Sequence, residues 1–403
     1  MMINQSNFKI LFIANGHTGS TLPLAKQFLR WGYHVDYCIV TGNAPLEFEA
    51  LNVKLSYSKS GLFEIEMSEA KELFTYMNNP NFRLFRICQP RPFLKVPIFR
   101  SIKRMLIKHF YRNVCNTLKT NNYTTINLIG RYDSFFFIYF LQFIKHTTIL
   151  TSLHEVCHHY EPDFNKPSKL LDYLIKNEKP IIVHSLKSLN DVLKFKGINK
   201  KNVDCINFGL FDTYSYIHED IDIIVPNRYF LFLGYLKPYK GLNVLYNAVS
   251  YHKSSFINCK IVVAGAGNNE VLEKMKNDDT FIIYNRFIKN EELVTLIKKS
   301  LAVICPYVSI SQSGIVQTCF VFNKPVIASK LGSFTELIDD GKFGYLINVN
   351  DSEDLFEKMN RFIENKELAS SMETIITNFL QYKPEYSWDT IVQQYILLPQ
   401  KRT

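Results

Sequence analysis

The sequence predicts an α/β protein made of two doubly wound parallel-sheet domains that face each other across a cleft. Three observations carry this expectation: a length of 403 residues, short apolar runs alternating with helical repeats, and a loss of periodicity near the middle of the chain. A chain of this length exceeds one ordinary core and suits two domains of roughly 150 to 200 residues each. The expected boundaries are 1–207 for the first domain, 208–227 for a linker, 228–382 for the second domain and 383–403 for a closing segment.

In the first domain, KILFIAN (Lys9 to Asn15) has strand length and ends in the turn NGHTGST. LPLAKQFLRWGY then has helical periodicity, and HVDYCIV is a second strand. TTINLIG and HTTILTSLH read as further buried strands around an apolar helix from Phe135 to Ile144. That apolar run is about half of what a bilayer-spanning helix needs. KPIIVHS and NVDCINFG add two more strands. Periodicity is lost from Phe208 until Pro226 punctuates the next strand. The second domain alternates regularly: strands YFLFLGY, CKIVVAG, TFIIYN, AVICP and PVIAS, with helices expected from Gly241, Asn268, Asn290 and Ser313. Such alternation builds a parallel sheet covered on both faces, and open sheets of this kind bind ligands beyond the carboxyl ends of their strands.

Composition narrows the class. Nearly half of the residues are apolar, and no repeat or low-complexity tract interrupts the chain. The first residues run into a strand without a charged start, apolar stretch and cleavage site, so a cytoplasmic protein is expected. The eight cysteines are scattered with no CxxC pair, which argues against a zinc ribbon or a disulfide framework. The net charge of +10 is concentrated: no acidic residue occurs from Leu73 to Tyr132. There Arg83, Arg86, Arg91, Arg100, Lys103, Arg104 and Lys108 accumulate among Phe82, Phe85, Phe93, Ile98, Met105 and Leu106. This reads as a basic face for an anionic membrane surface, at the inner side of the cytoplasmic membrane, or for an acidic, lipid-linked acceptor; the plainer alternative is a solvated helix face. No nucleic-acid motif accompanies the charge.

Three loops could hold phosphate. In GYLKPYKG, Gly234 permits a tight turn, and Lys240 offers an ammonium near a helix start. In SISQSGIVQT, the helix expected near Ser313 presents backbone N–H groups around Ser313, Gly314, Ile315 and Val316, with Gln317 and Thr318 following. In NGHTGST, Gly16 and Gly19 allow close backbone approach to a ligand. Lys237, Gly265 and Ile288 complete the candidate set on the second domain. Neither NGHTGST nor AGAGNN spells GxGxxG, so a nicotinamide site is poorly supported. HEVCH, from His154 to His158, matches the HExxH zinc pattern literally, but it follows a β-branched strand run, and zinc chemistry needs both histidines on one helix face. His154 at a strand end facing the cleft is better suited to hydrogen-bond a sugar.

Together these loops resemble the retaining family-4 glycosyltransferases of the GT-B fold, and within them a QSG subgroup of bacterial polysaccharide enzymes. The resemblance rests on Gly234, Lys240, Gly241, Tyr307, Ser311 to Gly314, Lys324 to Ser329, Gly332, Glu336, Asp340, Gly341, Gly344 and Leu346, and more loosely on HE, VHS and INFG in the first half. YSWDTIVQQYI looks like the family's closing helix, which crosses back to the first domain. Two departures stand out. Tyr235 occupies the place where many members carry an arginine, leaving Lys237 as a substitute. Neither glutamate of the family's usual pair is present, Ile310 or Ser311 and Thr318 standing there.

The resemblance implies two Rossmann-like domains, the first for the acceptor and the second for the donor. It implies transfer of a sugar from a UDP- or GDP-sugar to an acceptor hydroxyl of a glycan or lipid-linked glycan, with retention and without cofactor or metal. Lys240 and the Ser313 loop would meet the leaving diphosphate, and His154 would contact the donor sugar. Epimerisation of the sugar nucleotide, or binding without catalysis, are the alternative activities for such a chain.

Overall fold

A computed structural model of the chain describes residues 8–42, 46–47, 51, 53–55, 59–90, 100–157, 166–220, 222–310 and 313–398. Ten strands form in the first half: β1 (Lys9–Ala14), β2 (His34–Gly42), β3 (Leu46–Glu47), β4 (Lys54–Leu55), β5 (Gly61–Ile65), β6 (Phe82–Gln89), β7 (Thr125–Gly130), β8 (Thr148–Leu153), β9 (Ile181–Val183) and β10 (Val203–Cys205). β3 and β4 make a small antiparallel pair. The other eight form one sheet in the order β10-β9-β8-β7-β1-β2-β6-β5, parallel except where the edge strand β5 meets β6.

Six further strands build the second sheet: β11 (Tyr229–Leu233), β12 (Lys260–Ala264), β13 (Phe281–Tyr284), β14 (Val303–Cys305), β15 (Val326–Ser329) and β16 (Gly344–Ile347). Their order is β13-β12-β11-β14-β15-β16, and every pairing is parallel.

Both sheets are apolar on two faces because strand side chains alternate with a period of two. In β1, Ile10, Phe12 and Ala14 enter one core layer, while Leu11 and Ile13 enter the other. In β11, Phe230 and Phe232 serve one layer, and Tyr229, Leu231 and Leu233 serve the other. The chain reverses its direction of growth beside β1, which pairs with both β2 and β7, and beside β11, which pairs with both β12 and β14. Crevices open beyond the carboxyl ends at such reversals, and the loops starting at Asn15 and Gly234 leave the sheets there.

Helix Trp388–Leu397 packs on the first sheet's layer through Ile391, Val392, Tyr395 and Ile396. Burying each such side chain is worth about 1.5 to 3 kcal/mol. Asp389 fixes its register by accepting hydrogen bonds from Gln27 Nε2 at 2.6 Å and Trp31 Nε1 at 2.7 Å. The helix around Phe140 is shorter than its apolar run, spanning Phe137–Phe143, with Phe137, Phe140 and Leu141 buried and Phe135 exposed.

The basic segment departs from the sequence expectation. Arg83 and Arg86 lie on β6, a strand of the first sheet, where Arg86 is buried and Arg83 is partly exposed. Arg86 is only 2% exposed, and its guanidinium donates to Thr41 Oγ1 and the Gly42 carbonyl. Arg83 is bound bidentately by Asp36, which also accepts from the Tyr123 hydroxyl. The strand signal of FRLFRICQ was hidden by its charges: an arginine enters a sheet where it finds acceptors along its length. Arg91 lies outside the described residues, and helix Arg100–Lys119 carries Lys103, Arg104 and Lys108. All eight cysteines are free thiols. Among the described residues, no helix is long and apolar enough to cross a membrane.

Candidate functional site

The carboxyl ends of the two sheets enclose a cavity of about 380 Å³. His17, Gly19, Ser20, His154 and Glu155 line it from the first sheet's side. Leu233, Gly234, Lys240, Leu293, Ser313, Gly314, Ile315 and Thr318 face them from the second. Phe208, Phe211 and Tyr214 of the connecting segment join the two walls.

On the second-domain wall, Gly234 follows β11 at φ 115°, a backbone open to glycine. A Cβ built there would come 2.6 Å from Lys240 Nζ, so the ammonium lies directly over this turn. Nζ also stands 5.0 Å from the centre of the Tyr307 ring. Lys240 itself ends the short turn Pro238–Lys240 and is half-buried. Among the described residues it enters no ion pair. Burial pulls its pKa below the ordinary lysine value, with no carboxylate among the causes to offset that desolvation. A desolvated cation without a counter-ion gains most when an anion enters beside it.

Gly314 precedes helix Ile315–Val321, which begins two residues later than Ser313. It is glycine for a packing reason: a Cβ would approach Phe211 Cε2 to 2.1 Å. The helix turns Val316 into the core and buries Gln317, so neither side chain lines the cavity. Gln317 Oε1 has no hydrogen-bond partner among the described residues. Thr318 lines the cavity, with its hydroxyl donated to the Gly314 carbonyl at 2.9 Å.

The first-domain wall is a stack of rings. Gly16 and His17 both have positive φ, 79° and 60°, and this bend lays the His17 ring on His154 with centroids 3.7 Å apart. His154 follows β8 and donates its backbone N–H to the Gly130 carbonyl at 2.9 Å. Phe208 stacks on His154 at 4.6 Å and on His184 at 3.7 Å. His184 donates Nδ1–H to the Ile206 carbonyl at 2.8 Å, which leaves Nε2 as an acceptor. Nε2 of His154 and of His184 are both buried and unpartnered among the described residues. Burial lowers His17 to about 4 and His184 to about 3, and carries His154 well below the ordinary histidine value. At neutral pH these rings are therefore uncharged and able to hydrogen-bond a hydroxyl-rich ligand, and the Glu155 side chain lines the cavity beside them.

The structure separates the sequence candidates into three groups. His154, Gly19, Gly234, Lys240, Ser313, Gly314, Ile315 and Thr318 line the main cavity. Gly265 and Ile288 line an adjoining cavity of about 170 Å³ that shares Tyr214, Leu233, Gly234 and Leu293 with it. Gly16 and Lys237 are exposed and line neither. Ser311, and His158 of the HEVCH pattern, lie outside the described residues. No helix runs through His154–Cys157, and the described residues contain no group of three or more ligand-type side chains able to hold a metal. Sequence reasoning missed His17, Phe208, Phe211 and Tyr214. A histidine inside a glycine turn and an aromatic repeat in an aperiodic segment are the signals that could have found them.

Comparison with known proteins agrees with this geometry. The family model described as glycosyl transferases group 1 matches residues 216–378, which contain the whole second-domain wall. An uncharacterized glycosyltransferase of Methanocaldococcus jannaschii is 27% identical over 170 residues, 40% of this chain and 45% of that protein. The O-antigen chain mannosyltransferase C of Escherichia coli is 27% identical over 152 residues, 36% of this chain and 40% of that protein. The chain thus spans less than half the length of these curated relatives. Anabaena HepE, solved with UDP and glucose, superposes with a TM-score of 0.62 at 15% identity, over 97% of this chain and 98% of that one. The two facing parallel sheets are the GT-B fold of solved glycosyltransferases.

Proposed function

We propose that this protein is a retaining family-4 glycosyltransferase that moves a sugar from a UDP- or GDP-sugar to a hydroxyl of a glycan or lipid-linked glycan. The observation that carries the reading is Lys240: a half-buried ammonium without an ion-pair partner among the described residues, held over a glycine turn and lining the interdomain cavity. A nucleoside diphosphate supplies the anion this position lacks. As the bond from the anomeric carbon to the diphosphate oxygen breaks, negative charge grows on that oxygen, and the half-buried Lys240 ammonium meets it. The second domain is thereby the donor domain, and the first, with the closing helix packed on it, the acceptor domain.

His154 takes the sugar side. Its unpartnered Nε2 can hydrogen-bond a hydroxyl near the transferred carbon, and its stacking on His17 and Phe208 holds the ring in place. No carboxylate is assigned as nucleophile, so the acceptor hydroxyl attacks from the face that the diphosphate leaves, passing its proton to the departing phosphate oxygen. This order of events draws on no metal ion and accounts for retention without a glycosyl-enzyme intermediate. Assembly of a capsular, O-antigen or exopolysaccharide chain suits such an acceptor, and the resemblance to the O-antigen mannosyltransferase supports that setting.

Incubation with a panel of UDP- and GDP-sugars and a glycan acceptor, in the presence of a chelator, tests the reading. Release of nucleoside diphosphate with a product of unchanged anomeric configuration is the expected result. An epimerised donor, an inverted product, or binding with no turnover for every donor contradicts it.

A further inference from the structure

We infer that the outward face of helix Arg100–Lys119 docks on an anionic lipid bilayer. The helix anchors to the first domain through Tyr111, Val114, Cys115 and Leu118, which lie on one stripe and are buried. Ile102, Met105 and Leu106 lie on the opposite pole at spacings of three and four residues, and are 49%, 63% and 59% exposed. An apolar stripe that points away from its own core is not explained by folding of the domain.

Charge identifies the occupant. Lys103 and Lys108 flank the stripe on either side, Arg112 continues the basic surface, and none of the three enters an ion pair among the described residues. The helix contains no acidic residue. An apolar ridge between cations fits the interface of a bilayer, where acyl chains take the ridge and lipid phosphates take the ammonium groups. A protein partner of like surface would leave these cations facing one another.

Topology places this face at the open side of the molecule. β6 ends at the carboxyl edge of the first sheet, and the helix runs back over about 30 Å before β7 begins at the amino edge. The turns that carry Ile102, Met105 and Leu106 therefore lie at the edge from which the interdomain cavity opens. Arg86 is buried inside the sheet, and the partly exposed Arg83 is already paired with Asp36, so the surface does not draw on either.

Co-sedimentation of the full chain with vesicles tests the inference, using phosphatidylcholine alone and phosphatidylcholine mixed with phosphatidylglycerol. The wild type partitions onto the mixed vesicles and is released by salt. The triple variant Ile102→Glu, Met105→Glu, Leu106→Glu, and separately the double variant Lys103→Glu, Lys108→Glu, each lose at least about tenfold of that partitioning. The substituted side chains are exposed, or half-buried at Lys103, and none is in the core, so the melting temperatures stay at the wild-type value. Equal partitioning of the wild type onto neutral and anionic vesicles overturns the inference. So does a triple variant that binds like the wild type, or a wild-type dimer that the triple variant dissolves while neither binds vesicles.

Discussion

The two walls of the cavity are built by different means. The second-domain wall is assembled from glycine turns, Gly234 and Gly314, and one desolvated cation, Lys240, all inside the segment that matches the glycosyl transferases group 1 family model. The first-domain wall is a column of rings, His17, His154, Phe208 and His184, neutral at physiological pH and outside that segment. A diphosphate needs fixed positive charge and little else, which a local motif can supply. A sugar needs directional hydrogen bonds from groups held at fixed angles, and on the proposed reading the ring column that serves it takes side chains from four separate stretches of the chain.

Removing the central ring should expose the difference most strongly. His154→Ala is expected to lower turnover by about 100-fold, on the scale of a lost transition-state hydrogen bond, while nucleoside-diphosphate affinity stays within about threefold of wild type. Steady-state kinetics beside equilibrium binding separates the two; a variant that loses both alike would erase the division of labour between the walls.

Glycines on opposite walls sharpen the comparison. Gly314→Ala should cost about 1 to 3 kcal/mol of stability, because its Cβ would meet Phe211 at 2.1 Å. Gly19→Ala, whose Cβ would find Tyr214 only at 3.9 Å, should leave stability unchanged within about 0.5 kcal/mol and weaken donor affinity alone. Urea denaturation and a donor titration check the pair.

The ring wall also carries a pH signature. His17 and His184 stay neutral in the folded protein down to about 4 and about 3, whereas they take protons below about 6.5 when unfolded. Their contribution to stability is therefore complete above about pH 6.5 and is lost as the pH falls toward those values. His184→Phe should shrink the loss in melting temperature between about pH 7 and about pH 5.

A smaller effect belongs to the contact between the domains, where the Glu336 carboxylate accepts the backbone N–H of Leu186 at 3.1 Å. Burial raises the Glu336 pKa, so the folded state holds its proton more tightly than the unfolded state, and this group favours folding at lower pH. Relative to Glu336→Gln, the wild type should gain stability as the pH falls from about 7 to about 5, read as the difference between two melting curves.

Legibility in the sequence followed the same division. The strands of the second sheet, the Gly234 and Lys240 turn and the Gly314 loop were readable because each is a contiguous apolar run or a short glycine-bearing segment. β1, β2, β7, β8, β9 and β10 were readable for the same reason, and His154 because it ends a β-branched strand. β6 was not, since Arg83 and Arg86 mask its pattern and their acceptors, Asp36 and Thr41, are more than forty residues away. Nor could the sequence join Phe208 and His184 to His154: stacking depends on how three separate strand ends converge. The side-chain directions of Val316 and Gln317 were not legible, because the helix register, set by its start at Ile315, decides which side chains face the cavity.

The central claim, that Lys240 and its glycine turn hold a nucleoside diphosphate, is tested most directly by calorimetric titration of UDP and GDP into the wild type and Lys240→Met. The substitution keeps the apolar stem and removes the charge. A loss of affinity of at least about tenfold, for a charge-assisted contact of this kind, with the melting temperature of the free protein no lower than that of the wild type, is the predicted result. Equal affinity of the two proteins for whichever nucleotide binds, or binding of neither nucleotide to the wild type, would contradict it.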